Sequence, residues 1–232
     1  MAGLLYKNLR QNKGYLILIL GIQLLCGIVI FTEAYLVQNN KMVGGMAVLV
    51  FCLMTILVYV TFSEFLFKAD EVSAWCDFVI ASPVGSDGQI RSKYYFILAE
   101  YILVMVLNLM IDAAAGVIQE NGAELLHGYL LIFAIILLLT AIEIPFLAFF
   151  GVDKGSGVKL VVLLTVVLVA AIYFLFGDLA IFKEENVLAV FNEKMNGAVQ
   201  LYKILLMCVI SLILYYASYR ISVRLYRNRV DG

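Results

Sequence analysis

Residues 125–149 read LLHGYLLIFAIILLLTAIEIPFLAF, and this run decides the class of fold. It holds 25 residues with one charged side chain, Glu143. A helix of roughly 20 residues crosses about 30 Å of hydrocarbon. The run is continuous and lacks the alternating pattern, about ten residues long, of a membrane β-strand. The sequence therefore predicts a transmembrane helix here.

The composition of the whole chain agrees with a membrane protein. Of its 232 residues, 64% are apolar and 14% are charged, whereas soluble domains average about 25% charged residues. A net charge of -1 provides no basic surface for a nucleic acid. Four cysteines without C-x-x-C spacing and one histidine, His127, cannot form a usual zinc site. We expect no metal site and no nucleic-acid partner.

Six runs reach or approach the length of a membrane span, which predicts an all-α integral membrane protein with one transmembrane domain over residues 1–232. Ahead of the first span, residues 1–14 carry Leu4, Leu5 and Leu9 on one helical face. This pattern predicts an amphipathic interfacial helix. The spans are expected at about 15–37, 43–67, 94–118, 125–149, 158–177 and 200–220.

The distribution of basic residues predicts the orientation. Lys and Arg number twelve on the side that holds both termini, the 68–93 loop and the 150–159 stretch, and four on the other side. Cytoplasmic loops carry the excess of basic residues. We therefore expect a multi-pass protein of the cell membrane with both termini cytoplasmic. The first run is too long for a signal peptide, which predicts an uncleaved span.

The 68–93 loop is the longest cytoplasmic piece. Its apolar residues Val72, Trp75 and Val79 recur at helical intervals, which predicts a short amphipathic helix. Ser82-Pro83 ends it, because the residue before proline avoids the helical region. The second cytoplasmic loop, 150–157, is rich in glycine but lacks the Lys-Ser or Lys-Thr of a nucleotide-binding loop. We therefore expect no ATP hydrolysis by this chain itself.

Charged residues avoid the middle of every expected span. The five carboxylates inside spans lie toward span ends, and the eleven central residues of each span include no charged residue or histidine. This argues against ion coupling, which generally needs a charge or an unwound helix at that depth. Glu143 lies deep enough to need a cationic partner, and Arg91, Lys93 or Lys154 could supply it. We take Glu143 and Arg91 as the candidate structural pair.

Short motifs in the cytoplasmic loops give the chain a family resemblance. Asp70-Glu71-x-x-x-Trp75 is followed by Ser82-Pro83-Val84 and then by Lys93-Tyr94 at a span. This order resembles the permease subunits of type-2 ABC exporters, and Pro145 ahead of Phe149-Phe-Gly-Val-Asp-Lys154 resembles their second cytoplasmic turn. The chain departs from that pattern at Ser82, where the family often has Leu, and at Ser86-Asp87-Gly88, where a basic residue is common.

The resemblance implies a non-enzymatic permease of an ATP-driven exporter for an amphipathic peptide or a lipid-like compound. It would pair with a second permease copy or a paralogue. A separate cytoplasmic ATP-binding cassette protein would bind ATP and Mg²⁺, and this chain would need no cofactor. That protein would dock on a coupling helix at residues 70–82, and to a lesser extent on 150–157. The contact residues implied are Asp70, Glu71, Val72, Trp75, Asp77, Phe78, Ser82, Pro83, Asp153 and Lys154.

Two other functions are compatible with about six spans. The first is the substrate-capture membrane subunit of an energy-coupling-factor importer, which would need a polar pocket on the outer side. The acidic 178–200 loop fits that requirement weakly. The second is an integral-membrane enzyme such as a lipid-modifying transferase. A single histidine and the absence of an acid-rich signature within the spans disfavour the enzyme.

Overall fold

A computed structural model of the protein describes residues 2–36, 62–68, 70, 85–119, 126–176 and 198–231, and these are helical apart from a bend at Asn12 and a sharp turn at Gly151. The helices in these ranges are α1 (Ala2–Gln11), α2 (Lys13–Leu36), α3 (Gly85–Gln119), α4 (Leu126–Phe176) and α5 (Ala198–Asp231). Most of the expected second span and most of the 178–200 loop lie outside the described residues.

Three stretches of the described chain are long and apolar enough to cross a membrane: Gly85–Ile111, Leu126–Val158 and Gln200–Asn228. They overlap the expected third, fourth and sixth spans. Residues Lys13–Leu25 of α2 form a shorter apolar helix. The described residues thus belong to a helical integral membrane protein. The total of six spans and the side on which the termini lie stay predictions.

The core forms where α3, α4 and the helical residues 62–68 meet. Phe62, Ile97, Leu137, Ile144 and Leu147 belong to it and are 0% exposed. Apolar residues on the outer faces of the helices are instead exposed, as is usual for a protein whose surroundings are lipid. The described helices therefore pack mainly through this apolar cluster, and a smaller one formed by Ala134, Ile204 and Cys208 joins α4 to α5.

Hydroxyl groups join the helices inside the larger cluster. The Tyr101 hydroxyl of α3 lies 2.8 Å from Oγ1 of Thr140 on α4. Tyr94, also on α3, places its hydroxyl 2.7 Å from Ser218 Oγ and 2.8 Å from Ser222 Oγ on α5. Hydrogen bonds between helices satisfy polar groups that lipid cannot. These bonds fix the register of α3 against both neighbours.

The N-terminal helix is attached to the bundle through a polar face. Asn8 of α1 is 2% exposed, whereas Tyr6 is 65% exposed and Leu9 is 48% exposed. At the bend, the Asn12 side chain donates to the Asn8 carbonyl oxygen at 3.0 Å. Leu5 packs against the core. The three leucines predicted to share one face of α1 therefore divide, with Leu5 directed inward and Leu9 outward.

Within α4 the chain turns sharply at Gly151. Its backbone angles, φ 79 and ψ 177, belong to a region that is essentially restricted to glycine. A Cβ atom on Gly155 would lie 3.1 Å from the Cα of Leu147, whereas residues eight apart in a straight helix are separated by about 12 Å. The chain therefore folds back at Gly151, between the expected fourth and fifth spans.

We expect Gly155→Ala to lower the thermal unfolding temperature of the detergent-purified protein. The added methyl would lie 2.8 Å from Leu147 Cδ2 and 3.1 Å from its backbone, and such overpacking costs about 1–3 kcal/mol. Gly157→Ala is the matched control, because nothing lies within 4 Å of its Cβ position. Equal unfolding temperatures for the two variants would contradict the close approach at this turn.

Candidate functional site

A buried ion cluster lies at the base of the expected coupling segment. Asp70 is 4% exposed, and its carboxylate contacts the ammonium groups of two lysines from different helices. Oδ1 contacts Lys7 of α1, and Oδ2 lies 2.9 Å from Lys93 Nζ of α3. Gln89 of α3 donates to the same Oδ2 at 3.0 Å. One carboxylate therefore joins α1, α3 and the end of the segment that leads into the 71–84 stretch.

Lys93 has the environment that a buried ammonium requires. It is 2% exposed, and besides Asp70 it donates to the Leu66 carbonyl oxygen at 3.0 Å. Its Nζ also lies 3.9 Å from the centroid of the Phe67 ring, a favourable cation–π geometry. A buried ion pair is stable when further hydrogen bonds satisfy its remaining atoms. Lys93 meets this condition through residues 66 and 67.

A second set of hydrogen bonds extends the cluster to α5. Tyr226 donates through its hydroxyl to Gln89 Oε1 at 3.1 Å, which orients the Gln89 amide so that its nitrogen faces Asp70. On the other side, Asn8 Nδ2 lies 3.4 Å from Ser92 Oγ, and Ser92 donates to the Gln89 carbonyl oxygen at 2.8 Å. Four separate parts of the chain therefore meet around Asp70.

The cluster keeps Asp70 ionised at neutral pH. Burial raises the pKa of the Asp70 carboxyl, but Lys93, together with Lys7 and Gln89, lowers it by more, so that it lies below the ordinary value of 3.8. A carboxylate with a lowered pKa stabilises the fold fully above its unfolded-state pKa and loses that contribution as the pH falls through the folded-state value. The contribution of Asp70 is therefore constant across the physiological range.

The cluster, the Gly151 turn and the C-terminal end of α5 all lie at the same end of the bundle. The Tyr101 hydroxyl lies opposite Thr140. Because successive membrane spans run in opposite directions, Gly151 is expected about level with the first turns of α3. Arg227 of α5 lies 2.6 Å from Asp87 in the first turn of α3. We call this the cation-rich end, because basic residues of α1, α3, α4 and α5 gather there.

The sequence of the chain matches one family model, described as ABC-2 family transporter protein, over residues 3–227. The chain belongs to the ABC-2 family of transporter proteins. The match covers nearly the whole chain and confirms the family to which the loop motifs pointed. No curated protein and no solved structure matches the chain.

In this ABC-2 membrane protein, three of the ten residues expected to contact an ATPase lie among the described residues. They are Asp70, which is buried, and Asp153 and Lys154, which are exposed just after the Gly151 turn. The others fall outside the described residues: Glu71, Val72, Trp75, Asp77, Phe78, Ser82 and Pro83.

The two members of the candidate structural pair have different surroundings. Arg91 is exposed, and its Nε and Nη2 lie 3.3 and 3.1 Å from the Tyr95 hydroxyl one turn further along α3. Glu143 is 7% exposed and lies one turn beyond Thr140 on α4. The pairing of Glu143 with Arg91 stays a prediction.

The partners of Asp70 were not predicted from the sequence. Lys93 is one of the candidate partners of Glu143 in the sequence analysis, whereas the structure places both Lys93 and Lys7 against Asp70. Gln89 and Tyr226 were not singled out at all. The one available signal is that Asp70 comes three residues after the apolar residues 65–67, where a carboxylate at the end of a span requires a cationic partner.

We expect Asp70→Asn to destabilise the ABC-2 protein far more than Asp87→Asn. The first change leaves the two ammonium groups opposite a neutral amide, and breaking a buried pair costs about 3–5 kcal/mol. The second removes an exposed pair with Arg227, which contributes about 0–1 kcal/mol. Thermal unfolding of the purified variants measures the difference, and similar unfolding temperatures would contradict the role assigned to the cluster.

Proposed function

We propose that this ABC-2 protein is the permease of an ATP-driven exporter that moves an amphipathic peptide or a lipid-like compound out of the cell. A separate cytoplasmic ATP-binding subunit docks on residues 70–82 and secondarily on 150–157. A second permease, identical or paralogous, completes the transport route. ATP and Mg²⁺ bind in the ATP-binding subunit, and this chain forms the membrane-spanning permease that changes conformation.

The observation that carries the proposal is the buried Asp70 cluster. A docking segment transmits force only if its base is firmly connected to the helices that must move. The Asp70 carboxylate makes that connection, because its lysine partners belong to α1 and α3. In this proposal Asp70 positions the coupling segment, and the surface that touches the ATP-binding subunit is formed by residues 71–82, with Trp75 at its centre.

The Gly151 turn supports a second contact at the same end. Asp153 and Lys154 are exposed immediately after it, and Phe149 and Phe150 immediately before it are 42% and 44% exposed. Exposed aromatic side chains beside charged ones are typical of protein interfaces. We therefore propose the exposed residues around Gly151 as the secondary contact with the ATP-binding subunit.

The direction of the cation-rich end follows from the charge distribution. Basic residues mark the cytoplasmic side of a membrane protein, which puts the ATP-binding subunit where cellular ATP is available. The charge-free middle of the expected spans suits an amphipathic cargo better than an ion. Family membership favours the exporter over the importer subunit and the lipid-modifying enzyme.

The test is assembly of the purified permease with its cognate ATP-binding protein, read as co-elution and as stimulation of ATP hydrolysis. We expect Trp75→Ala to lose both while keeping its unfolding temperature, because it removes a contact residue and leaves the Asp70 cluster intact. Tyr202→Ala is the matched control, since Tyr202 is an aromatic residue 69% exposed near the opposite end of α5.

Tyr202→Ala should assemble and stimulate like the unaltered protein. If Trp75→Ala also forms a stable complex with full stimulation, residues 70–82 are not the docking segment. If the unaltered permease itself fails to bind the ATP-binding protein, the proposal of an exporter half fails as a whole.

A further inference from the structure

A groove of about 300 Å³ lies between residues 91–98 of α3 and residues 212–220 in the middle of α5. Its floor is formed by Tyr94 and Tyr215, whose ring centroids are 4.9 Å apart. Both hydroxyls are engaged away from the groove, that of Tyr94 with two serines of α5 and that of Tyr215 with the Tyr94 carbonyl oxygen at 2.9 Å. The floor is therefore rigid and presents aromatic surface.

Two arginines, one from each helix, line this groove. Arg91 of α3 is held by the Tyr95 hydroxyl, and its guanidinium carbon lies 5.4 Å from the centroid of the Tyr95 ring. Arg220 of α5 lines the other side. Among the described residues neither arginine has an acidic partner, whereas Lys7 and Lys93 contact Asp70, and Arg227 contacts Asp87. The groove thus retains two uncompensated positive charges.

The chemistry changes from polar to apolar along the groove, away from the cation-rich end. Exposed tyrosines come next to the arginines, with Tyr95 at 48% and Tyr216 at 61% exposure. Farther along the same faces lie Leu212, Ile102 and Val209, all between 42% and 53% exposed. Tyrosine is enriched where a membrane meets water. The order of cation, aromatic ring and aliphatic side chain matches the order of phosphate, glycerol and acyl chain in a phospholipid.

We infer that this groove binds one anionic phospholipid, with its phosphodiester between Arg91 and Arg220 and an acyl chain along Leu212 and Ile102. Charge complementarity selects this occupant. The guanidinium fork binds phosphate oxygens in a bidentate manner, and the phosphate of a zwitterionic lipid is offset by its own ammonium group. The lipid would connect α3 to α5 from outside, opposite the buried bonds of Tyr94. The inference rests on the residues of the groove and not on the proposed ATP-binding subunit or cargo.

The experiment is titration of the full-length purified permease with phosphatidylglycerol or phosphatidylcholine, with bound lipid counted by native mass spectrometry. We expect the unaltered protein to prefer phosphatidylglycerol. Arg91→Gln combined with Arg220→Gln should bind it about 30-fold more weakly, as expected for losing two cations at a charged membrane surface. Arg91→Lys with Arg220→Lys keeps both charges without the planar fork and should bind with intermediate affinity.

The matched control is Arg10→Gln with Lys203→Gln, which removes two exposed charges outside the groove and should retain the preference. The unfolding temperature of each variant shows whether that variant is folded. Three results would overturn the inference: equal binding of the two lipids by the unaltered protein, equal loss in the control, or displacement of phosphatidylglycerol by inorganic phosphate at similar concentration. The last result would mean that the groove recognises a free phosphate.

Discussion

A carboxylate removed from water can stay ionised only if it is surrounded by cations and donors, and this requirement at Asp70 organises the cation-rich end of the protein. Meeting it brings together Lys7 from α1 and Lys93 and Gln89 from α3. Lys93 is buried and Lys7 is partly buried, so these lysines in turn depend on the carboxylate. Desolvating any one of these groups without its partners would cost several kcal/mol. The helices can therefore adopt only the arrangement that completes the cluster.

The rest of the bundle follows from this arrangement and from the hydroxyl bonds within the membrane. The cluster fixes the position of the first turns of α3. The hydrogen bond of Tyr94 then holds α5 against α3, and that of Tyr101 holds α4 against α3. Because α3 has 35 residues, it is about 52 Å long and extends beyond a hydrocarbon layer of about 30 Å. Its first turns and the C-terminal end of α5 meet at the cation-rich end, where Asp87 contacts Arg227. Conformational changes started at that end would reach three helices directly.

The sequence predicts the helical class and the sorting of basic residues to one end, because both depend on local composition. It also predicts that one span ends at 149 and the next begins at 158, and the structure has a turn between these positions at Gly151. The contacts at Asp70 could not be predicted in the same way. Lys7 and Asp70 are 63 residues apart, and which lysine reaches a given carboxylate depends on how each helix is rotated by its packing.

The rotation of the helices also determines where the side chains of Arg91 and Lys93 lie. The charge of Arg91 and its position near the beginning of a span made it a candidate partner for a buried carboxylate. The rotation of α3 places Arg91 on the exposed side, beside Tyr95, while Lys93, two residues later, faces inward. Two cations separated by one residue thus have different roles, one inside the cluster and one in the outer groove. Helical periodicity gives the angle between the two side chains around the helix axis, but it does not determine which of them faces the core.

The most direct test of the central claim is a double-mutant cycle between Asp70→Asn and Lys93→Met, read as the free energy of unfolding of the purified protein. If these groups form one cluster, the double variant loses less than the sum of the single losses, with a coupling energy of about 0.5–3 kcal/mol. Strictly additive losses would show that Asp70 and Lys93 act independently and would contradict the account.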